Sequence, residues 1–514
     1  MSRRTWAFAI LFAWFAALGW LVKREYFRTT GERLTEAALS VPPGTEFYRL
    51  DLAGQQVGFA STSLDTLGPK LRVTDVLLVD LPVLGELHRT RARSRATVNR
   101  ALRLESLDVQ FEGDGGKFVG HGDVQGDTLL VLTLESPGGT QTNRIKLDRP
   151  IVLPSLIPLR LAFGGKLKPG RTVRVPVFDP LELVQRDVSV TIDAETTLVV
   201  SDSAAFDSTL MAWTPAHFDT VRAFKIEQRA SGLSTSAWID AQGRVVRATG
   251  PVGLTLERAA YEIAYQNFRR RDTVRVMAAS RAPAAEDIIA VTAIAAGAPL
   301  HGAVGGSAEE FRVRLSGVEL AGLELGSGGQ TLRGDTLIVR RADTLALRAR
   351  YELPARDPAF APWLAPEPLI ESADPRIRAQ AHALVGDERD PARATLVLSR
   401  WVSAHVHKEQ TVGLPSAVRV FELKRGDCNE ITTLFVALAR AAGIPARPAA
   451  GLVQLGDHFY YHAWPEVYLG GWVPVDPTFE QFPADPTHLR FVTGGLARQV
   501  ALLRFIGRLK LEVL

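Results

Sequence analysis

Gly426-Asp427-Cys428-Asn429-Glu430-Ile431-Thr432-Thr433-Leu434-Phe435-Val436-Ala437-Leu438-Ala439-Arg440-Ala441-Ala442-Gly443 is the stretch on which the reading of this chain turns. Ile431, Leu434, Phe435, Leu438 and Ala442 recur at helical spacing, which predicts a buried amphipathic helix. Gly443, with Pro445 just beyond, supplies its C-terminal stop. The first turn carries Cys428, the single cysteine of 514 residues. Free backbone N–H groups and the positive dipole end favour a thiolate there, and the thiolate is the nucleophilic form. Asp427 and Glu430 read most simply as caps of the helix start. A lone buried cysteine is ordinarily inert packing, so any chemistry depends on partners elsewhere.

Two strand-like runs downstream supply such partners. His462 lies in Tyr461-His462-Ala463-Trp464-Pro465-Glu466-Val467-Tyr468, and Asp476 lies in Gly471-Trp472-Val473-Pro474-Val475-Asp476-Pro477-Thr478. The set suggests a nucleophile, a general base and a carboxylate that orients the imidazole. The turn between the runs decides whether the last two meet. A two-residue loop at Gly470-Gly471 would set Leu469 opposite Trp472. His462 and Asp476 would then point to opposite faces, because side chains alternate. A three-residue loop, Leu469-Gly470-Gly471, pairs Tyr468 with Trp472. Asp476 then lies opposite Trp464 and diagonal to His462 on one face. The expectation is the three-residue loop, with a glycine in the left-handed conformation; a bulge at Pro465 would act alike.

Cys428 to Phe479 resembles the transglutaminase-like branch of the papain-type cysteine enzymes, in the manner of its bacterial membrane-anchored members. The matching stretches are Gly426–Glu430, Ala439–Arg447, His462-Ala463-Trp464 with Glu466-Val467-Tyr468, and Trp472–Thr478. Asp485 with Thr487-His488-Leu489 resembles the tail of bacterial members. The resemblance implies a Cys428-His462-Asp476 triad and an acyl-enzyme thioester formed from an amide. It implies no cofactor and no metal. The backbone N–H of Cys428 is a reasonable oxyanion donor. His405 and His407 look like a metal pair only superficially and read as a solvated helix end. His458 and His488 lie near the motifs, and surface placement suits them as well as a place behind the site.

Composition excludes several alternatives. With 46% hydrophobic and 23% charged residues the chain is not globally disordered. One cysteine permits no internal disulfide and no multi-cysteine metal site. A net charge of +4 spread along the chain is no nucleic-acid footprint. Thr5 to Val22 is uncharged and mostly apolar; at 1.5 Å per residue it would reach about 27 Å, the scale of a bilayer core. Arg3-Arg4 precede it, Lys23-Arg24-Glu25 follow, and no small-x-small cleavage site lies behind it. The expectation is a retained signal anchor over residues 1–43, with the remainder outside the cytoplasm.

From 44 to 350 short alternating runs such as Leu71–Val79 and Thr128–Leu134 sit between turn signals at Gly113–Gly116, Gln125–Asp127 and Gly326–Gly329. Ser236–Asp240 and Arg244–Arg247 read as a further hairpin. The expected organisation is a multidomain chain: an N-terminal transmembrane helix, an all-β middle region (44–281 and a small unit 282–352), a proline-rich linker (353–370), and a C-terminal α+β papain-like domain (371–514). Asp374-Pro375 and Asp390-Pro391 look like N-caps with proline at the first helical position. The functional expectation is a membrane-anchored, extracytoplasmic cysteine acyltransferase or hydrolase acting on protein or peptide amide bonds. The alternatives are a peptidase or cell-wall amidase with the same triad, or a non-catalytic scaffold working through the β-rich region.

Overall fold

The computed structural model describes residues 43–514, apart from 84–85, 137–138, 166, 180–182, 231–232, 251–252, 271–291, 297–308 and 344–348. The expected anchor at Thr5–Val22 and the expected break near Ala282–Glu286 lie outside these residues.

The β-rich half is one antiparallel sheet of fourteen strands. Eight strands meander from Gly44–Leu52 to Gly139–Lys146, each beside the next. Six more run from Thr172–Asp179 to Thr255–Arg258. The two meanders join where Gly44–Leu52 pairs with Thr255–Arg258, from Tyr48 opposite Arg258 to Asp51 opposite Thr255. The hairpins at Gly113–Gly116 and Gln125–Leu129 fall at the predicted turns. So does the turn after Asp240, whose carboxylate accepts the N–H groups of Gln242 and Arg244. A sheet this wide curls. Its inner face, with Val73, Val98, Leu132, Val190, Ile226 and Ile239, closes on Ile151, Leu156, Ile157 and Leu161 of the connecting segment.

The C-terminal half is built around the cysteine helix, Cys428–Ala441. Helices Pro375–Val385, Pro391–His405 and Ala417–Leu423 pack on it in one core with Ile431, Leu434, Phe435 and Leu438. Asp374 and Asp390 cap the first two of these helices as predicted, each with proline in the first turn. Behind the helix stands an antiparallel sheet in the order Ile294–Ala295, His458–Tyr468, Ala446–Leu455, His488–Thr493, with Trp472–Pro474 also paired to His458–Tyr468.

The expected fold class is corrected. The chain is mostly β, 51% strand and 20% helix, with one fourteen-stranded sheet from Gly44 to Arg258 and a separate four-stranded sheet made of Gln330–Arg333, Thr336–Arg340, Glu310–Ser316 and Lys510–Val513. Among the described residues no helix is long and apolar enough to cross a membrane. The α+β part is confined to the C-terminal half. The small 282–352 unit is not self-contained: Glu310–Ser316 pairs with Lys510–Val513, and Ile294–Ala295 joins the sheet behind the cysteine helix. The proline-rich segment 353–370 is not a spacer. Leu353 and Ile370 enter the helical core, Ala355 N–H bonds Gly443 O (3.0 Å), and Arg440 reaches Ala365 O and Glu367 (each 2.7 Å). Local turn chemistry marks strands, but it does not reveal that the first strand pairs with the last, or that the chain end completes a distant sheet.

Gly451 faces His462 across the ladder, and a Cβ there would collide with the Leu489 carbonyl on the other side. Gly451→Ala should cost about 1–3 kcal/mol in urea unfolding through the shift it forces. Gly471→Ala, where a Cβ meets open space, should stay within about 0.5 kcal/mol of the parent.

Candidate active site

Cys428 opens its helix behind a complete capping box. Asp427 Oδ1 accepts the Asn429 N–H (2.7 Å), and Glu430 Oε2 accepts the Asp427 N–H (3.2 Å). Gly426 is required next to this box, since a Cβ there would overlap the Glu430 side chain. The helix packs on the strand His458–Tyr468, and the Ala463 N–H faces the Cys428 sulfur. The cysteine residue keeps partial exposure, yet its sulfur sits deep among neighbouring atoms. Burial above all, then the charges of Asp427, Glu430 and Asp476, push the thiol well above its ordinary value, outweighing the Ala463 N–H. The thiolate that the helix start alone predicts is therefore not the resting form. The cap acids that complete the helix offset the dipole that would have favoured it. Burial and Asp427 likewise push the Glu430 acid well up.

The histidine strand keeps its register to Ala446–Leu455 without a bulge. Pro465 faces Pro448, so two residues with no N–H to give share a position where the ladder asks for none. The following turn is the three-residue loop. Tyr468 pairs with Trp472, Val467 with Val473 and Glu466 with Pro474, and Gly470 adopts φ 91°. Val475 N–H to Pro465 O (2.9 Å) carries the pairing on, so Asp476 follows at the level of Trp464. His462 Nε2 and Asp476 Oδ2 then lie 2.7 Å apart.

Asp476 is fully buried and its carboxylate is saturated. Oδ1 accepts the Thr478 and Phe479 N–H groups (2.8 and 3.2 Å). Oδ2 accepts from His462 and from a second imidazole, His488 Nε2, at 2.9 Å. Burial opposes the charge, but the two histidines hold the carboxyl far below the usual carboxylate range. His488 is also buried. Burial works against its charge, but Asp476 and Asp485 push it up to about 9. Its Nδ1 bonds Asp485 O (3.0 Å) and lies 3.3 Å from Asp485 Oδ1. Trp464 and Phe479 wall both rings.

Thus the structure places His462 and Asp476 in contact and sets Cys428 against the strand that carries His462. Sequence reasoning left His488 as readily on the surface as behind the site. The usable signal was Asp485-Pro486-Thr487-His488 leading into an apolar strand. His405 bonds Trp401 O on an exposed helix end and His458 bonds exposed Asp457, so neither joins the site. Ligand-type atoms of His462, Asp476 and His488 lie within 4.8 Å of one another. Their 2.7 and 2.9 Å separations are hydrogen-bond lengths through one shared oxygen.

One comparison with known proteins falls on the same segment. Residues 378–477 match the transglutaminase-like superfamily. A Haemophilus influenzae protein described as uncharacterised is 28% identical over 122 residues, 18% of this chain and 33% of its own. The chain thus spans about a third of the length of that curated relative. A candidate cysteine protease from Cytophaga hutchinsonii is structurally similar at 17% identity and a TM-score of 0.28, over 39% of this chain and 83% of that one. A β-barrel-like protein of a domain of unknown function from Brucella abortus is similar at 13% identity and a TM-score of 0.30, over 42% and 96%. A transglutaminase-like domain occupies residues 378–477.

The cluster sets a pH signature. The raised His488 contributes stability that is full below its ordinary value of 6.5 and is lost as pH rises through about 9. The depressed Asp476 contributes stability present above the ordinary carboxyl range and lost as pH falls well below it. Asp476→Asn removes one of the two carboxylates that His488 faces and should cost about 3–5 kcal/mol near pH 6. Urea unfolding at pH 6, 7.5 and 9.5 should show that deficit shrinking as His488 loses its proton.

Proposed function

We propose that the C-terminal domain is a cysteine acyltransferase or hydrolase acting on amide bonds of proteins or peptides, with Cys428 as nucleophile, His462 as base and then acid, and Asp476 as the group that orients His462. The observation that carries this reading is the 2.7 Å His462–Asp476 hydrogen bond, on a strand whose next residue, Ala463, turns its N–H to the Cys428 sulfur. Asp476 occupies Nε2, which leaves Nδ1 as the ring nitrogen available to the thiol proton.

The chemistry follows from the raised thiol. As Sγ bonds to the carbonyl carbon its proton passes to His462, so the thiolate need exist only within the reaction step. Asp476 stabilises the imidazolium this creates. The Cys428 backbone N–H, at the start of its helix, is the donor we assign to the developing oxyanion. His462 returns the proton to the departing nitrogen as the C–N bond breaks and the thioester forms. Water then gives hydrolysis, and an amine gives transfer.

Cys428→Ala and His462→Ala should each lower turnover by at least about 10³-fold, and Asp476→Asn by about 10²–10⁴-fold. The assay follows a glutamine-containing peptide by mass spectrometry, in the presence and absence of a fluorescent primary amine, scoring amine incorporation, deamidation and backbone cleavage together. Turnover equal to the parent's in folded Cys428→Ala protein would rule out Cys428 as the nucleophile, and a folded parent with no turnover would favour the scaffold reading.

A further inference from the structure

We propose that His488 is a second imidazolium of this site, a positioning residue that fixes Asp476 and sets how readily the Cys428 proton moves to His462. It deepens the triad reading above and rests on it. His488 lies beyond the matched span, on the strand His488–Thr493.

The geometry assigns its protons. A neutral imidazole has one N–H and one lone pair. Both nitrogens of His488 face oxygens that only accept: Nε2 meets Asp476 Oδ2 at 2.9 Å, and Nδ1 meets the Asp485 carbonyl at 3.0 Å and its carboxylate at 3.3 Å. Either tautomer would turn a lone pair toward an acceptor inside a buried site, so both nitrogens hold protons. Asp485 is itself fixed, by Gln481 Nε2 (2.8 Å) and by the Thr487 N–H and hydroxyl. The ionisable groups facing His488 are Asp476, Asp485 and His462, whose ring centroid is 5.8 Å away. The remaining rings against it, Trp464 and Phe479, do not titrate.

The result is a row of alternating charge during turnover: sulfur, His462, Asp476, His488, Asp485. Asp476 Oδ2 is shared by two donors, so it is held against rotation. The His488 cation opposes the charge that His462 acquires on taking the thiol proton. It therefore keeps the resting thiol neutral and eases return of the proton to the leaving nitrogen.

One cysteine per chain makes the test direct. Iodoacetamide alkylation of Cys428 in the full chain is followed by intact mass between pH 5 and 10. His488→Gln keeps a donor for Asp476 but removes the cation; Asp485→Asn removes the carboxylate that holds it. Both should move the alkylation midpoint down by about one pH unit, which gives about tenfold faster alkylation at pH 7. His488→Lys should move it back toward the parent value. A purely structural His488 would alter stability and leave the midpoint in place, and that result in folded protein overturns the proposal. If the Gln variant does not fold, Asp485→Asn decides by the same criterion. His462→Ala separates the two readings: an unchanged profile there sinks the triad and this proposal together. A changed profile there with unmoved His488 and Asp485 variants sinks this proposal alone.

Discussion

A carboxylate with no exposure to water is the constraint around which the C-terminal half is arranged. Burying such a charge costs several kcal/mol unless its lone pairs are met. Asp476 meets them with two backbone N–H groups on one oxygen and two imidazoles on the other. These four donors come from three pieces of chain: the Pro477–Phe479 turn, the histidine strand and the strand His488–Thr493. Removing any one piece leaves a buried charge short of partners. The carboxylate therefore acts as the joint that fixes the relative positions of three segments, and the site geometry follows from satisfying it.

That joint exists only because one turn has an odd number of residues. With the pairing of Tyr468 to Trp472, Asp476 shares the face of His462; slipping by one residue would send it to the other side of the sheet. Gly470, at φ 91°, makes the loop possible, and the facing prolines Pro448 and Pro465 let the ladder run through without a bulge. The parity of a local turn thus decides whether an imidazole has an orienting partner. This part of the site was legible in the sequence because the rule is local: loop length, glycine placement and strand alternation are all read within fifteen residues. The capping box of Asp427 and Glu430 was legible for the same reason.

What escaped the sequence is non-local. The fourteen-stranded sheet depends on pairing Tyr48 with Arg258, and the chain end at Lys510–Val513 completes a sheet begun near Glu310. No local pattern encodes either pairing. His488 escaped because a histidine after a turn reads equally as solvated or buried; its placement is set by Asp476 and Asp485 together. The link between the two halves was invisible too. The hairpin tip Gly113–Gly116 docks on the loop before the cysteine helix: Asp114 N–H bonds Val412 O (3.0 Å), and Val412 N–H bonds Asp114 Oδ2 (2.8 Å). A Cβ on Gly113 or Gly115 would strike the Val412 or Leu414 carbonyl. Thr411 of that loop in turn lies beside Glu430 of the capping box. The large sheet therefore buttresses the segment on which the cysteine helix starts.

The state of the thiol shows how local and global forces compete at one atom. A helix start offers the sulfur free N–H groups and a favourable dipole. The same start needs a cap, and here the cap is an acid, with a second acid at the third helical position. Folding then removes water from the sulfur and brings Asp476 within electrostatic reach. Each step that makes the helix more stable makes the isolated thiolate less so. Under the proposed function, a nucleophile placed this way is inert until a base is aligned with it, so the orientation of His462, and hence the saturation of Asp476, carries much of the arrangement. A solitary cysteine at a helix start is a weak signal by itself, and under the proposed function it acquires chemical meaning only through the imidazole and carboxylate assigned to it.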